Sequence, residues 1–142
     1  MPPRPDLALA LVRIATGGVF AVHGWQAVFT TGLTGLTRLY AAAGVPLPLL
    51  VAPVTAILDL LGGVLLVLGV GARGLAGLLG GVTVLLTVAR WAHGLLPVTL
   101  AELCALLVAG CAAVAVGGAG QPAVDGWRPG AVAPAKRTRS RR

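Results

Sequence analysis

Five polar side chains stand out in otherwise apolar stretches of this sequence. They are His23 and Gln26 in "FAVHGWQAVF", Arg90 and His93 in "LLTVARWAHG", and Glu102 in "TLAELCALL". Imidazole, carboxamide and guanidinium groups donate hydrogen bonds, and a carboxylate accepts them. Together they suit a polar head group such as a quinone, whose carbonyls need donors. Two further charges, Arg13 and Asp59, lie deeper in apolar runs. A lone ionisable group at mid-bilayer costs a few kcal/mol, so Asp59 needs a partner or a proton. Arg13 falls within about 7 Å of it in depth at 1.5 Å per residue, and an Arg13–Asp59 ion pair is the economical expectation. Buried pairs are weak evidence of net stabilisation, so a structural and a functional role for this pair stay open.

The elements that would position these groups follow from composition. Of 142 residues, 57% are hydrophobic and 11% charged, and mean hydropathy is +0.93. Soluble domains carry about a quarter charged residues, and so few charges cannot cover a soluble surface. Four segments, residues 7–29, 47–70, 74–95 and 99–116, are long enough to cross about 30 Å of hydrocarbon. Pro46, Pro48 and Pro53 sit near the start of the second, Arg73 lies in the turn after it, and Pro97 breaks the chain before the fourth. Short connections favour antiparallel neighbours. The expected fold is all-α, an integral membrane up-down four-helix bundle. Residues 1–6 are expected to form a cytoplasmic N-terminus, 7–118 the four-helix bundle and 119–142 a disordered, basic cytoplasmic tail. The first apolar run is too long for a secretory h-region, so it reads as a retained span.

Six of the eleven basic residues lie between Arg128 and Arg142. With both termini inside, Arg4, Arg73 and those six are cytoplasmic, against Arg38 and Arg90 outside. The positive-inside rule therefore predicts a multi-pass membrane protein with both termini in the cytoplasm. The tail reads as an anchor on anionic lipid, not as a nucleic-acid site. In that orientation His23, Gln26, Arg90, His93 and Glu102 converge in depth at the outer side, from three helices. Thr83, Thr87 and Arg90 share one face of the third.

Small residues allow helices to approach closely in lipid. The expected packing positions are Gly17 with Ala21, Gly62 and Gly63, Gly77 with Gly81, and Ala105 with Ala109. They also leave a homo-oligomer open.

A plainer reading competes for each polar group. Arg90 and His93 can snorkel to head groups beside Trp91, and Glu102 can sit in water in a first helical turn. Other chemistry has thin support. Cys104 and Cys111 are seven residues apart, about 10 Å along a helix, which is too far for a disulfide. Neither has metal-site spacing to His or Cys, so no metal is expected. Bis-His haem ligation would need His23 and His93 to face each other. No phosphate-binding glycine loop is present, because Gly62/Gly63 and Gly80/Gly81 lie within apolar runs.

The ordered set of residues resembles the DoxX family of small bacterial four-helix membrane proteins, from about residue 11 to 125. The resemblance rests on Arg13, on "HGWQAVF", on "AAAGVPLP" before the second span, and on "LDLLGGVLLVLGVGARGLA". His93 and Glu102 fall where many members carry a His and a Glu, and "GGAGQPAVDGW" echoes the family's ending, with Asp125 as its Asp. Ala27 stands at the usual Lys and Asp59 at the usual Glu. The resemblance implies a link to redox systems, since the family is similar to the membrane subunit of archaeal thiosulfate:quinone oxidoreductase and other members are associated with thiol redox. The first expectation is thus the membrane subunit of a quinone- or thiol-linked complex, partnered by a soluble redox enzyme or another membrane subunit, with quinone as the candidate cofactor. A non-catalytic scaffold for a soluble partner is the alternative. A small transporter or proton relay ranks lower, because no inverted repeat or paired helix break is visible. No self-contained catalytic constellation is present.

Overall fold

The computed structural model describes residues 5–121, 123 and 124. Among them the order is α1 (Pro5–Trp25), a π-helical turn (Gln26–Thr30), α2 (Gly32–Ala42), α3 (Pro48–Leu68), α4 (Ala72–Ala92) and α5 (Val98–Gly117). Four stretches, Asp6–Thr30, Pro48–Leu68, Ala72–Ala92 and Val98–Gly117, are long and apolar enough to span a bilayer. The protein is an all-α membrane bundle, with α1 against α3 and α5, and α4 against α3 and α5.

Helix ends follow from residue type. Pro48 opens α3 at a position where its missing N–H is no loss, and Gly69 closes that helix at φ 78°. Gly69 meets a second demand, since a side-chain carbon there would lie 2.6 Å from Arg13 Nη1 and 2.8 Å from Ala123 Cβ. Glycine satisfies both the left-handed backbone and the space.

The tightest helix contact is between α1 and α3, where Gly17 and Ala21 meet Gly63 backbone to backbone. Gly24 adds a further close contact with Leu60, outside the expected small-residue positions. Gly62 faces the Leu79 side chain on α4, where an added methyl carbon would lie 3.3 Å from Leu79 Cδ2. Gly77 and Gly81 do not pack as expected: both are exposed with open space around them. The close residue on α4 is Gly80, against Cys111 of α5. The register explains this, because Gly80 lies about 100° around the helix from Gly81 and only one of the two faces can meet α5. Ala105 and Ala109 are likewise exposed, and α5 approaches α1 through Gly110 and Gly117.

One apolar core fills the bundle, with Phe20, Leu66, Leu79, Leu107 and Val114 among its buried members. A second cluster joins Leu36, Tyr40, Ala43 and Val45 to Ala52 and Ala56 of α3. The connection between the first two spans therefore contains a helix, despite its Gly and Thr content. Leu36 and Tyr40, one turn apart, bury one stripe of it.

Both described ends of the chain meet at the end of the bundle opposite α2. Arg13 is 2% exposed and donates to the Ala119 carbonyl, and the Gln121 N–H reaches the Asp6 carbonyl at 3.3 Å. Residues 119–121, which the sequence placed in the tail, are thus held to α1. The rest of that tail, from Asp125 on, lies outside the described residues, as does the Asp125 echo of the family ending.

Candidate functional site

At the α2 end, all five helices and the π-helical turn surround a chamber of about 220 Å³. Each element contributes for a local reason. His23 lies in the last turn of α1 and is half-buried. Directly after it the backbone widens, and the Thr31 N–H bonds the Gln26 carbonyl at 2.8 Å, five residues back. Such a turn inserts a residue and re-aims the side chains around it. Gln26, Ala27 and Thr31 then all border the chamber, while Trp25 turns outward at 56% exposure and stacks on Phe29 at 4.1 Å. Exposed Gln26, Thr31 and Leu39 form the rim.

The floor and walls are mixed. Asp59 of α3 and Thr83, Thr87 and Arg90 of α4 bring polar groups, and Phe20, Leu103 and Leu107 bring apolar ones. Thr83, Thr87 and Arg90 do share the inward face of α4. The Thr83 hydroxyl bonds the Leu79 carbonyl at 2.8 Å, which is ordinary back-bonding for a helical Thr. The Thr87 hydroxyl is buried and has no such bond.

Tyr40 fixes Arg90. The guanidinium carbon lies 5.7 Å from the centre of the Tyr40 ring, within cation–π range. The Tyr40 hydroxyl lies 3.1 Å from Thr55 Oγ1. Thr55 has one proton, and the Val51 and Ala52 carbonyls receive it at 2.9 and 3.1 Å. The phenol is therefore the donor to Thr55. Burial pushes the Tyr40 hydroxyl above its ordinary pKa, which keeps that donor protonated. Arg90 points inward rather than snorkelling out, and its charge acts on His23, Tyr40 and Asp59 together.

The structure thus brings together His23, Gln26 and Arg90 as expected from depth. It adds Asp59, Tyr40 and Cys104, and it leaves out His93 and Glu102. His93 caps α4 and lies against Gly44 in the loop before α3, which is a packing role. Glu102 is exposed. It lies about 200° around α5 from Cys104, so the turn that brings the thiol to the chamber points the carboxylate away.

Nor does the structure join Arg13 to Asp59. The Arg13 guanidinium lies beside Gly69, ten residues or about 15 Å along α3 from Asp59. Equal depth was a poor guide here, because a long Arg side chain can run towards either end of its helix. Arg13 runs towards the chain ends, and Asp59 opens into the chamber with Arg90. Cys104 and Cys111 are free and buried. Among the described residues, no three His, Cys, Asp or Glu side chains converge as a metal site.

The sequence profile of the DoxX family matches residues 8–94, well over half of the chain. The protein belongs to the DoxX family. No curated protein and no solved structure matches it. The matched region holds His23, Gln26, Tyr40, Asp59 and Arg90 and ends before α5, so Cys104 and Glu102 fall outside it. Ala27, at the family's usual Lys, borders the chamber. Among the described lining residues, Arg90 is the one Arg or Lys.

Proposed function

We propose that this DoxX protein is the membrane subunit of a quinone-linked redox complex, with the chamber as the seat of the quinone head group. One observation carries this reading: donors from three elements, His23, Gln26 and Arg90, border one small cavity. Drug-sized ligands fill cavities of roughly 300–1,000 Å³. A cavity of about 220 Å³ suits a single ring, with its isoprenoid chain outside. Exposed Leu39 on the rim and the neighbouring Trp25–Phe29 pair give such a chain an apolar exit. In this reading a soluble redox enzyme or a second membrane subunit supplies the electron partner. Charge distribution supports a plasma-membrane orientation with both termini in the cytoplasm and the chamber on the outer side.

A scaffold is the second reading, and the open Gly77/Gly81 face of α4 favours it, since such faces seat neighbouring helices in lipid. Purification from native membrane with bound lipid retained, followed by mass spectrometry of extracts and proteins, separates the two. Stoichiometric quinone supports the chamber. A co-purifying protein without quinone, in a preparation whose lipids are intact, supports the scaffold.

A further inference from the structure

The chamber's hydrogen-bonding groups are unequally satisfied. Tyr40 has spent its proton on Thr55, and Thr83 has spent its own on Leu79. Among the described residues, no hydrogen bond and no ion pair engages the Asp59 carboxylate, and Arg90 is held only through the Tyr40 ring face and longer-range charge. The Thr87 hydroxyl, one turn before Arg90, is buried with no partner. Buried polar groups are normally paired; here one buried hydroxyl and two partly buried charged groups without a hydrogen bond border one cavity, and a ligand could satisfy the three together.

Their chemistry specifies that ligand. A guanidinium only donates and does not lose its proton in proteins. With the Arg90 charge acting on it across the chamber, Asp59 has the partner its depth requires without a proton, and an ionised carboxylate only accepts. Thr87 does either. The ligand must therefore offer an acceptor to Arg90 and a donor to Asp59. A quinone ring has two carbonyl acceptors and no donor, so it leaves the Asp59 carboxylate unpaired whichever of His23, Gln26 and Arg90 meet its carbonyls. A hydroquinone has two hydroxyl groups, each of which both donates and accepts. The geometry points to a chamber that selects the reduced, hydroquinone form of its ligand, with Asp59 accepting a hydroxyl hydrogen bond and Arg90 donating to the other oxygen. This rests on the quinone reading above and adds the redox form bound and the residue that chooses it. Asp59 is a specificity residue, because its acceptor character, not its bulk, makes the choice.

The test is competition, under anaerobic conditions, against a photoreactive quinone analogue bound to the full chain in lipid nanodiscs. The competitors are a short-chain benzoquinone, its hydroquinone and the hydroquinone dimethyl ether. Leaving a buried acceptor unpaired costs enough to expect about tenfold tighter binding of the hydroquinone than of the quinone. The dimethyl ether, which has no donor, is expected to lose that advantage. Asp59→Glu keeps an acceptor and should keep the preference. Asp59→Asn brings its own N–H donor and should bring the two forms within about threefold of each other. Equal binding of quinone and hydroquinone by wild type, or an undiminished preference in folded Asp59→Asn, overturns the assignment while leaving the quinone site standing. If Asp59→Asn does not fold, a dimethyl ether that matches the hydroquinone on wild type overturns it equally. Failure of all three compounds to compete removes the quinone reading and this inference together.

Discussion

Replacing Gly17 by Ala tests whether backbone contact between α1 and α3 holds the bundle. A methyl carbon at Gly17 would lie 2.8 Å from the Gly63 carbonyl oxygen, 2.9 Å from the Val67 nitrogen and 3.0 Å from Val67 Cγ2. Ordinary contact begins at 3.4 Å, so α1 must withdraw from α3 by about 0.6 Å at this point, and two of the three obstacles are backbone that cannot rotate aside. A gap of 0.5–1 Å forfeits a quarter to a half of each dispersion contact it opens. Overpacking of this kind costs about 1–3 kcal/mol, and the better helix propensity of Ala returns at most about 1 kcal/mol. A net loss of about 1–2 kcal/mol is expected. Gly81→Ala is the control, because nothing lies within 4 Å of a methyl group there. It should change stability by less than about 0.5 kcal/mol. Both are read from the unfolding midpoint in a dodecyl sulfate titration of mixed micelles, followed by tryptophan fluorescence. A Gly17→Ala protein as stable as wild type, or a Gly81→Ala protein as damaged as Gly17→Ala, refutes this account of the contact.

Tyr40→Phe should lose about 1 kcal/mol by removing the Thr55 hydrogen bond while keeping the ring beneath Arg90; Tyr40→Leu should lose more in the same titration, because the cation–π contact goes too. Gly69→Ala forces a methyl group onto φ 78° and against Arg13, at a cost of about 1–3 kcal/mol, and limited proteolysis after Gly118 should quicken as the Arg13–Ala119 hold loosens. A phosphatase that works only outside the cytoplasm, fused after Arg142, should stay inactive, and full activity would reverse the assigned orientation.

Much of the fold was legible in the sequence, because lipid imposes length and apolarity on every span. The helix in the connection after the first span was not legible. Its Gly32, Gly35 and four Thr residues have low helix propensity, while the Leu36–Tyr40 stripe that makes it a helix gains its strength only by packing on α3. Of the candidate site, His23, Gln26 and Arg90 were legible because depth along antiparallel helices is countable from sequence. Rotation about each helix axis was not, which is why Glu102 and Cys104 exchanged roles and why Gly80 displaced Gly81. The π-helical turn at Gln26–Thr30 has no sequence signal of its own. Tyr40 could have been found from its one-turn spacing to Leu36, had the segment been read as a helix.

Photolabelling tests the chamber most directly. A quinone analogue with its photoreactive group on the ring is irradiated with the full chain in native-lipid nanodiscs, and labelled peptides are mapped by mass spectrometry. Adducts should concentrate on the peptides carrying His23 to Thr31 and Thr83 to Arg90, should fall with excess unlabelled quinone or hydroquinone, and should be lost in folded His23→Ala. Labels spread evenly over the lipid-facing helices, or equal labelling of wild type and folded His23→Ala, would contradict a head-group site in the chamber and leave its polar residues as contacts between helices.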